Sequence, residues 1–253
     1  HFDPSNGLHV STLQSDAETG EFCFAESVAI SGSLALVGHP HKATAGTSGG
    51  AAYVYARDPE GGWTKSAELV PELAGEHRFG VCVALDGNVA AVAAKGEQGI
   101  FTVYVFQRDQ NGNWREAAKL ERTSSVSPGN PRLCLALRGS RLLVGDPNRC
   151  VRHEMDGAAV LYERDGSGNW QQTAEFTSTN PTPHGYFGWA VVLTDKEILI
   201  GEPGLRHPGA VHVLRPKAGG GPWRLVQRLA SPHRYSGKGC GRSLGVAGDR
   251  LAV

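Results

Sequence analysis

A pair of short apolar stretches joined by a two-residue turn recurs five times along the 253 residues of this chain. The copies are FAESVAISGSLALVGHP from Phe24, FGVCVALDGNVAAVAAK from Phe79, RLCLALRGSRLLVGDP from Arg132, FGWAVVLTDKEILIGEP from Phe187 and CGRSLGVAGDRLAV from Cys240. Phe24 and Cys240 hold the same position in the first and fifth copies, which sets a period of 54 residues. Each copy reads as strand, turn, strand, because Ser31-Gly32, Asp86-Gly87, Arg138-Gly139, Thr194-Asp195 and Ala247-Gly248 supply hairpin chemistry.

Two further patterns run in step with the first. An apolar strand leads into a polar turn and a tryptophan in GAAYVYARDPEGGW, FTVYVFQRDQNGNW, GAAVLYERDGSGNW and the looser GAVHVLRPKAGGGPW. Trp63, Trp114, Trp170 and Trp223 are then each followed, six residues on, by Leu69, Leu120, Phe176 or Leu229, an outermost strand. Four strands per repeat, with no helical periodicity, make an all-β chain. A four-stranded unit cannot bury both faces alone, so repeats of this length stack face to face around an axis. The expected fold is a β-propeller of about five four-stranded blades.

The fifth copy ends within a strand at Val253, while the residues from Phe2 onward match the turn and outer strand of a repeat, with Leu13 in the place of Leu69. We therefore expect residues 1–253 to form one domain, with segment 1–20 completing the last blade by pairing of N- and C-terminal strands, which removes an open sheet edge. Five full repeats need about 270 residues, so one strand with its loop is short by this count.

At this point the repeats resemble the FG-GAP family. Phe79-Gly80 and Phe187-Gly188 stand for its FG, and Gly38-His39-Pro40, Gly145-Asp146-Pro147 and Gly201-Glu202-Pro203 for its GAP. The resemblance covers nearly the whole chain and implies a propeller like that of the integrin α-chain. It also implies an extracellular, cell-surface or otherwise extracytoplasmic setting, and a role in adhesion, glycan binding or assembly. Family members carry a calcium loop of D-x-D-x-D-G type between the second and third strands, where alternating oxygens wrap the cation. Here those loops read HPHKATAGTSGG, AKGEQG, DPNRCVRHEMDG and EPGLRHPG. None has the alternation, so no metal site and no cofactor is expected. The RDQNGN and RDGSGN segments read as hairpin turns rather than cation loops.

Lys plus Arg and Asp plus Glu each number 25, which leaves no net charge to draw in nucleic acid or an anionic membrane. No apolar run is long enough for a membrane helix, so direct membrane insertion is not expected. Five cysteines without C-x-x-C spacing point to neither a disulfide framework nor a zinc site; Cys134 and Cys150 belong to one repeat and could pair.

The end of the second strand is the candidate ligand position, an axial channel mouth lined by His39, Asp146 and Glu202, with His41 two residues beyond the first. Such a ring could hold a cationic ligand, or simply hydrogen-bond water. Trp189, beside Tyr186 in PHGYFGW, breaks the repeat pattern and is the candidate exposed aromatic contact. No G-x-S-x-G nucleophile motif occurs. The leading expectation is a non-catalytic binding module, not an enzyme, that contacts a protein partner or larger surface assembly. The alternatives are a glycan-binding lectin and a hydrolase or metal site at the propeller axis.

Overall fold

The computed structural model describes residues 24–43, 49–71, 78–96, 101–122, 132–205, 208–217, 221–230, 239–247 and 250–253, with the backbone of strands β1 (Phe2–Asp3) and β2 (Leu8–His9). Every described element is a strand or turn. By contact, the chain divides into one compact unit of residues 1–97 and 101–122 and a second of residues 98–100 and 123–253.

The first unit holds two four-stranded sheets. One runs β3 (Val28–Ser31), β4 (Leu34–His39), β5 (Ala51–Arg57), β6 (Trp63–Leu69); the other β7 (Cys82–Asp86), β8 (Val89–Lys95), β9 (Phe101–Arg108), β10 (Trp114–Arg122). In both, sequence neighbours pair antiparallel in chain order, the simplest meander. The second unit repeats the pattern with β11 (Cys134–Arg138), β12 (Arg141–Asp146), β13 (Ala158–Arg164), β14 (Trp170–Phe176), then β15 (Val191–Leu193), β16 (Ile198–Glu202), β17 (Ala210–Pro216), β18 (Trp223–Ala230). A last pair, β19 (Gly245–Ala247) and β20 (Arg250–Ala252), begins a fifth blade. These are propeller blades, as the repeat required. The β1–β2 pair forms its own two-stranded sheet; residues 10–20, on which the expected closure of the last blade rests, lie outside the described residues.

Strand alternation explains why the third strand of each blade is apolar on both faces. On β5, Ala52 and Val54 join a core with Leu85, Val92 and Tyr104 of the next blade, while Ala51, Tyr53 and Tyr55 pack with Val37 on the opposite face. In the second unit Ala159, Leu161 and Phe176 meet Phe187, Ile198, Ile200 and Leu214, and Leu199, Val211 and Val213 meet Leu244 and Leu251. The fourth strands β6, β14 and β18 are mostly exposed, as outermost strands should be. Each third-to-fourth pairing carries one bulge, at Val54/Tyr55, Glu116/Ala118, Leu161/Tyr162 and Val213/Leu214, which adds local twist.

The FG and GAP elements meet at blade junctions. A methyl added to Gly38 would lie 2.0 Å from the carbonyl oxygen of Gly80, and one on Gly201 would lie 2.0 Å from that of Gly241. Short parallel bridges, Gly50 to Phe79, Gly157 to Phe187 and Gly209 to Cys240, continue the same seams. The repeat's signature therefore encodes the joint between blades as well as the blade.

Candidate functional site

The Asp of the polar turn behaves as the sequence suggested. Asp109 Oδ1 accepts the Asn111 and Asn113 amides at 2.9 Å, and Asp165 Oδ1 accepts those of Ser167 at 2.8 Å and Asn169 at 2.9 Å. These backbone bonds, Asn113 and Asn169 foremost, hold both carboxyls below the usual aspartate range. One oxygen of each carboxylate is thus committed to the turn.

The end of the second strand is buried rather than open. His39 is 0% exposed, Asp146 1% and Glu202 6%. The reason lies in the junction: the amides of these three residues run beside Gly80, Gly188 and Gly241 of the next blade. His39, in the first unit, packs edge-on to Phe24 at 5.6 Å and tilted against Tyr53 at 6.2 Å, while His41 is half-buried beyond it. Asp146 and Glu202 lie in the second unit, and Glu202 lines a recess.

Glu202 ends β16, and His212 lies in β17. Ile200 is opposite His212 and Glu202 opposite Ala210, so Glu202 and His212 are diagonal neighbours on one face. His212 Nε2 is 2.6 Å from Glu202 Oε2, and the Ser178 hydroxyl donates to the same oxygen at 3.0 Å. All three side chains are buried. Oε2 is thus taken twice, and Oε1 is the oxygen left for the recess that Glu202 lines together with Asn180, Thr182, Gly204, Pro208, Gly209 and Arg228. The volume is about 120 Å³, room for roughly four water molecules. Gly185 closes over it: a methyl there would meet Glu202 Oε1 and the Thr182 carbonyl oxygen, each at 3.1 Å.

A second recess of about 250 Å³ lies on the His212 side, between Phe176, Phe187, Leu214 and Leu225, with Thr177 and Thr179 at its edge. Phe187 stands edge-on to the imidazole at 5.0 Å. The acid and the imidazole thus each line a recess, the first bordered by Asn180, Thr182 and Arg228, the second by aromatic and aliphatic side chains together with Glu175, Thr177 and Thr179.

Sequence reading had marked Glu202 but not His212 or Ser178. His212 holds the position of Tyr53 and Tyr104 in other repeats, so a histidine at an aromatic, buried strand position was the available signal. Ser178 falls outside the repeat and gave none.

Tyr186 and Trp189 come together at 5.5 Å, edge to face. Trp189 is half-buried, with the guanidiniums of Arg132 and Arg242 4.9 and 5.5 Å from its ring centroid. Cys134 and Cys150 form no disulfide; Cys150 Sγ instead accepts the Met155 amide at 3.3 Å, and burial pushes the Cys134 thiol up. Among the described residues no group of His, Cys, Asp and Glu is arranged to hold a metal ion.

Blades of this kind, joined glycine to glycine, define a β-propeller. The FG-GAP repeat family model matches residues 12–55. No curated protein sequence matches the chain. Among solved structures the chain is similar to a protein from Lactobacillus plantarum, at 13% identity and a TM-score of 0.54 over 81% of this chain and 55% of that one. It is also similar to the periplasmic gluconolactonase of Pseudomonas aeruginosa, at 14% identity and a TM-score of 0.46 over 92% and 78% of the two chains. A third is the Aleuria aurantia lectin in complex with α-methyl-L-fucoside, at 13% and 0.46 over 80% and 58%. The chain spans little more than half the length of the first of these. The expectation of a non-catalytic adhesion or assembly module, and with it that of no enzymatic activity, is corrected by these findings: the similar propellers include a gluconolactonase and a lectin. Likeness at this identity establishes architecture alone, and the chemistry has to be read from the site.

Proposed function

We propose that the chain binds a sugar or sugar derivative at the mouth of the recess over Glu202, which admits one polar end of the ligand rather than the whole ring, and hydrolyses an ester or lactone bond in it. The observation that carries this reading is the buried Glu202–His212 pair, 2.6 Å apart, with one carboxylate oxygen doubly hydrogen-bonded and the residue lining a recess beside Asn180, Thr182 and Arg228. Asn180, Thr182 and Arg228 supply amide, hydroxyl and guanidinium groups of the kind that meet sugar hydroxyls. With Oε2 held by His212 and Ser178, Oε1 takes a proton from water as the water oxygen bonds to the acyl carbon. The acyl C–O bond then breaks, and the carboxyl returns its proton to the leaving alkoxide. Arg228 is the cation at the recess to meet the developing oxyanion. An extracytoplasmic setting accords with the FG-GAP repeat.

The test is turnover of a sugar lactone by the full chain, followed by proton release, beside calorimetric titration of the same sugar as its free acid. Turnover that falls roughly 100-fold or more in Glu202→Gln, with binding of the acid retained, supports the reading. Binding without turnover makes the recess a glycan site of lectin type, which the same polar side chains favour. Neither binding nor turnover removes both.

A further inference from the structure

The segment 184–189 carries features that hydrolysis at Glu202 does not use. His184 and Tyr186 both adopt positive φ, 57° and 58°, which bulky residues rarely do. The conformation is held from outside: His184, Tyr186 and Phe187 donate their amides to the carbonyls of Glu154, Met155 and Asp156 at 2.8, 3.0 and 3.0 Å. Asp156, itself buried, anchors that loop by accepting the amides of Val151, Arg152 and His153. Backbone held this firmly in a costly region is characteristic of binding segments. It presents His184, Tyr186 and Trp189 in succession, with ring centroids 5.9 and 5.5 Å apart.

Arg132 and Arg242 lean on Trp189 from two different elements, and both are exposed. Among the described residues no carboxylate pairs with either. Each guanidinium gains only a modest cation–π attraction from the indole. An anion placed against them would satisfy fork-like donors built for carboxylate or sulfate.

From this geometry we infer a second binding site, adjoining the Glu202 recess through Gly185 but built on other side chains, whose ligand is an acidic sugar: a uronate or sulfated residue of a glycan. The acidic group is taken by Arg132 and Arg242, and the sugar ring lies against the Tyr186–Trp189 corner. The patch offers two cations and two half-buried rings. The balanced total charge of the chain supplies no field for a long polyanion such as nucleic acid.

The test is calorimetric titration of the full chain with lactose, lactose 6-sulfate, a uronate-containing disaccharide and an acidic phosphopeptide. Binding of the sulfated or uronate sugar but not lactose is expected; which of the two binds more tightly identifies the acidic group. Affinity should fall roughly 10-fold or more in Arg132→Gln and in Arg242→Gln, and as salt rises from about 0.05 to 0.5 M. Glu202→Gln should leave it unchanged, so this result and the hydrolase result stand or fall separately. Both arginines are exposed, so the variants fold, which circular dichroism checks. No binding of either acidic sugar, equal binding of lactose, preference for the phosphopeptide, or binding that survives the double variant would overturn the inference.

Discussion

Gly145 and Gly188 touch through their backbones: a methyl added to Gly145 would sit 2.1 Å from the carbonyl oxygen of Gly188 and 2.9 Å from Val191 Cγ1. Gly188 has φ 91°, and a methyl on it would press within 2.4 Å of the Ala158 carbonyl oxygen. Each glycine is thus required by the other blade's backbone, which cannot give way as a side chain can. The same contact recurs at Gly38 with Gly80 and at Gly201 with Gly241.

Gly145→Ala and Gly201→Ala should therefore each destabilise the fold by about 3 kcal/mol or more, as overpacking against rigid backbone does. Gly166→Ala, where a methyl meets nothing within 4 Å, should stay within about 0.5 kcal/mol. Urea midpoints for the three variants decide the point; equal midpoints would refute the role assigned to the junction.

The Glu202–His212 pair makes a second prediction, on stability rather than turnover. His212→Ala leaves a buried carboxylate with one donor fewer and opens a cavity beside Phe187, a loss of roughly 3–5 kcal/mol. Glu202→Gln keeps an acceptor for both His212 and Ser178 and should cost under about 1.5 kcal/mol. Thermal unfolding of the two variants measures the asymmetry, and a reversed order would show that the pair is not held as described.

The turn aspartates predict a pH dependence. Backbone amides lower the folded-state pKa of Asp109 and Asp165 below the unfolded value. Their contribution is therefore present above the ordinary aspartate pKa and is lost as pH falls through the folded-state pKa. Carboxyl-carbon NMR titration should place both midpoints below that of an aspartate in a disordered peptide, and added calcium should leave both resonances in place. A normal midpoint, or a calcium-dependent shift, would contradict the turn assignment.

Blade architecture was legible from sequence because a propeller repeats its chemistry every 54 residues. Turn residues, period-two apolar strands and the periodic tryptophans each reported local structure, and their agreement identified the sheet order. Glu202 was legible as a carboxylate at a repeated position. What it faces was not: His212 is ten residues away, diagonal to it on the paired strand, and Ser178 comes from the loop after the preceding blade. Trp189 stood out as a break in the pattern, yet its two arginines come from residues 57 before and 53 after it in the chain.

The sequence by itself determined that this protein is built of four-stranded antiparallel blades, because hairpin turns and strand alternation are local properties that each repeat states again. Only the tertiary structure decided that the second-strand ends are buried, that one of them is paired with an imidazole, and that two cations close on a single indole. The buried strand ends and the paired cations depend on which blade faces lie against each other, a relation between residues far apart in the chain, while the imidazole pairing depends on strand register within one blade; no local pattern encodes either.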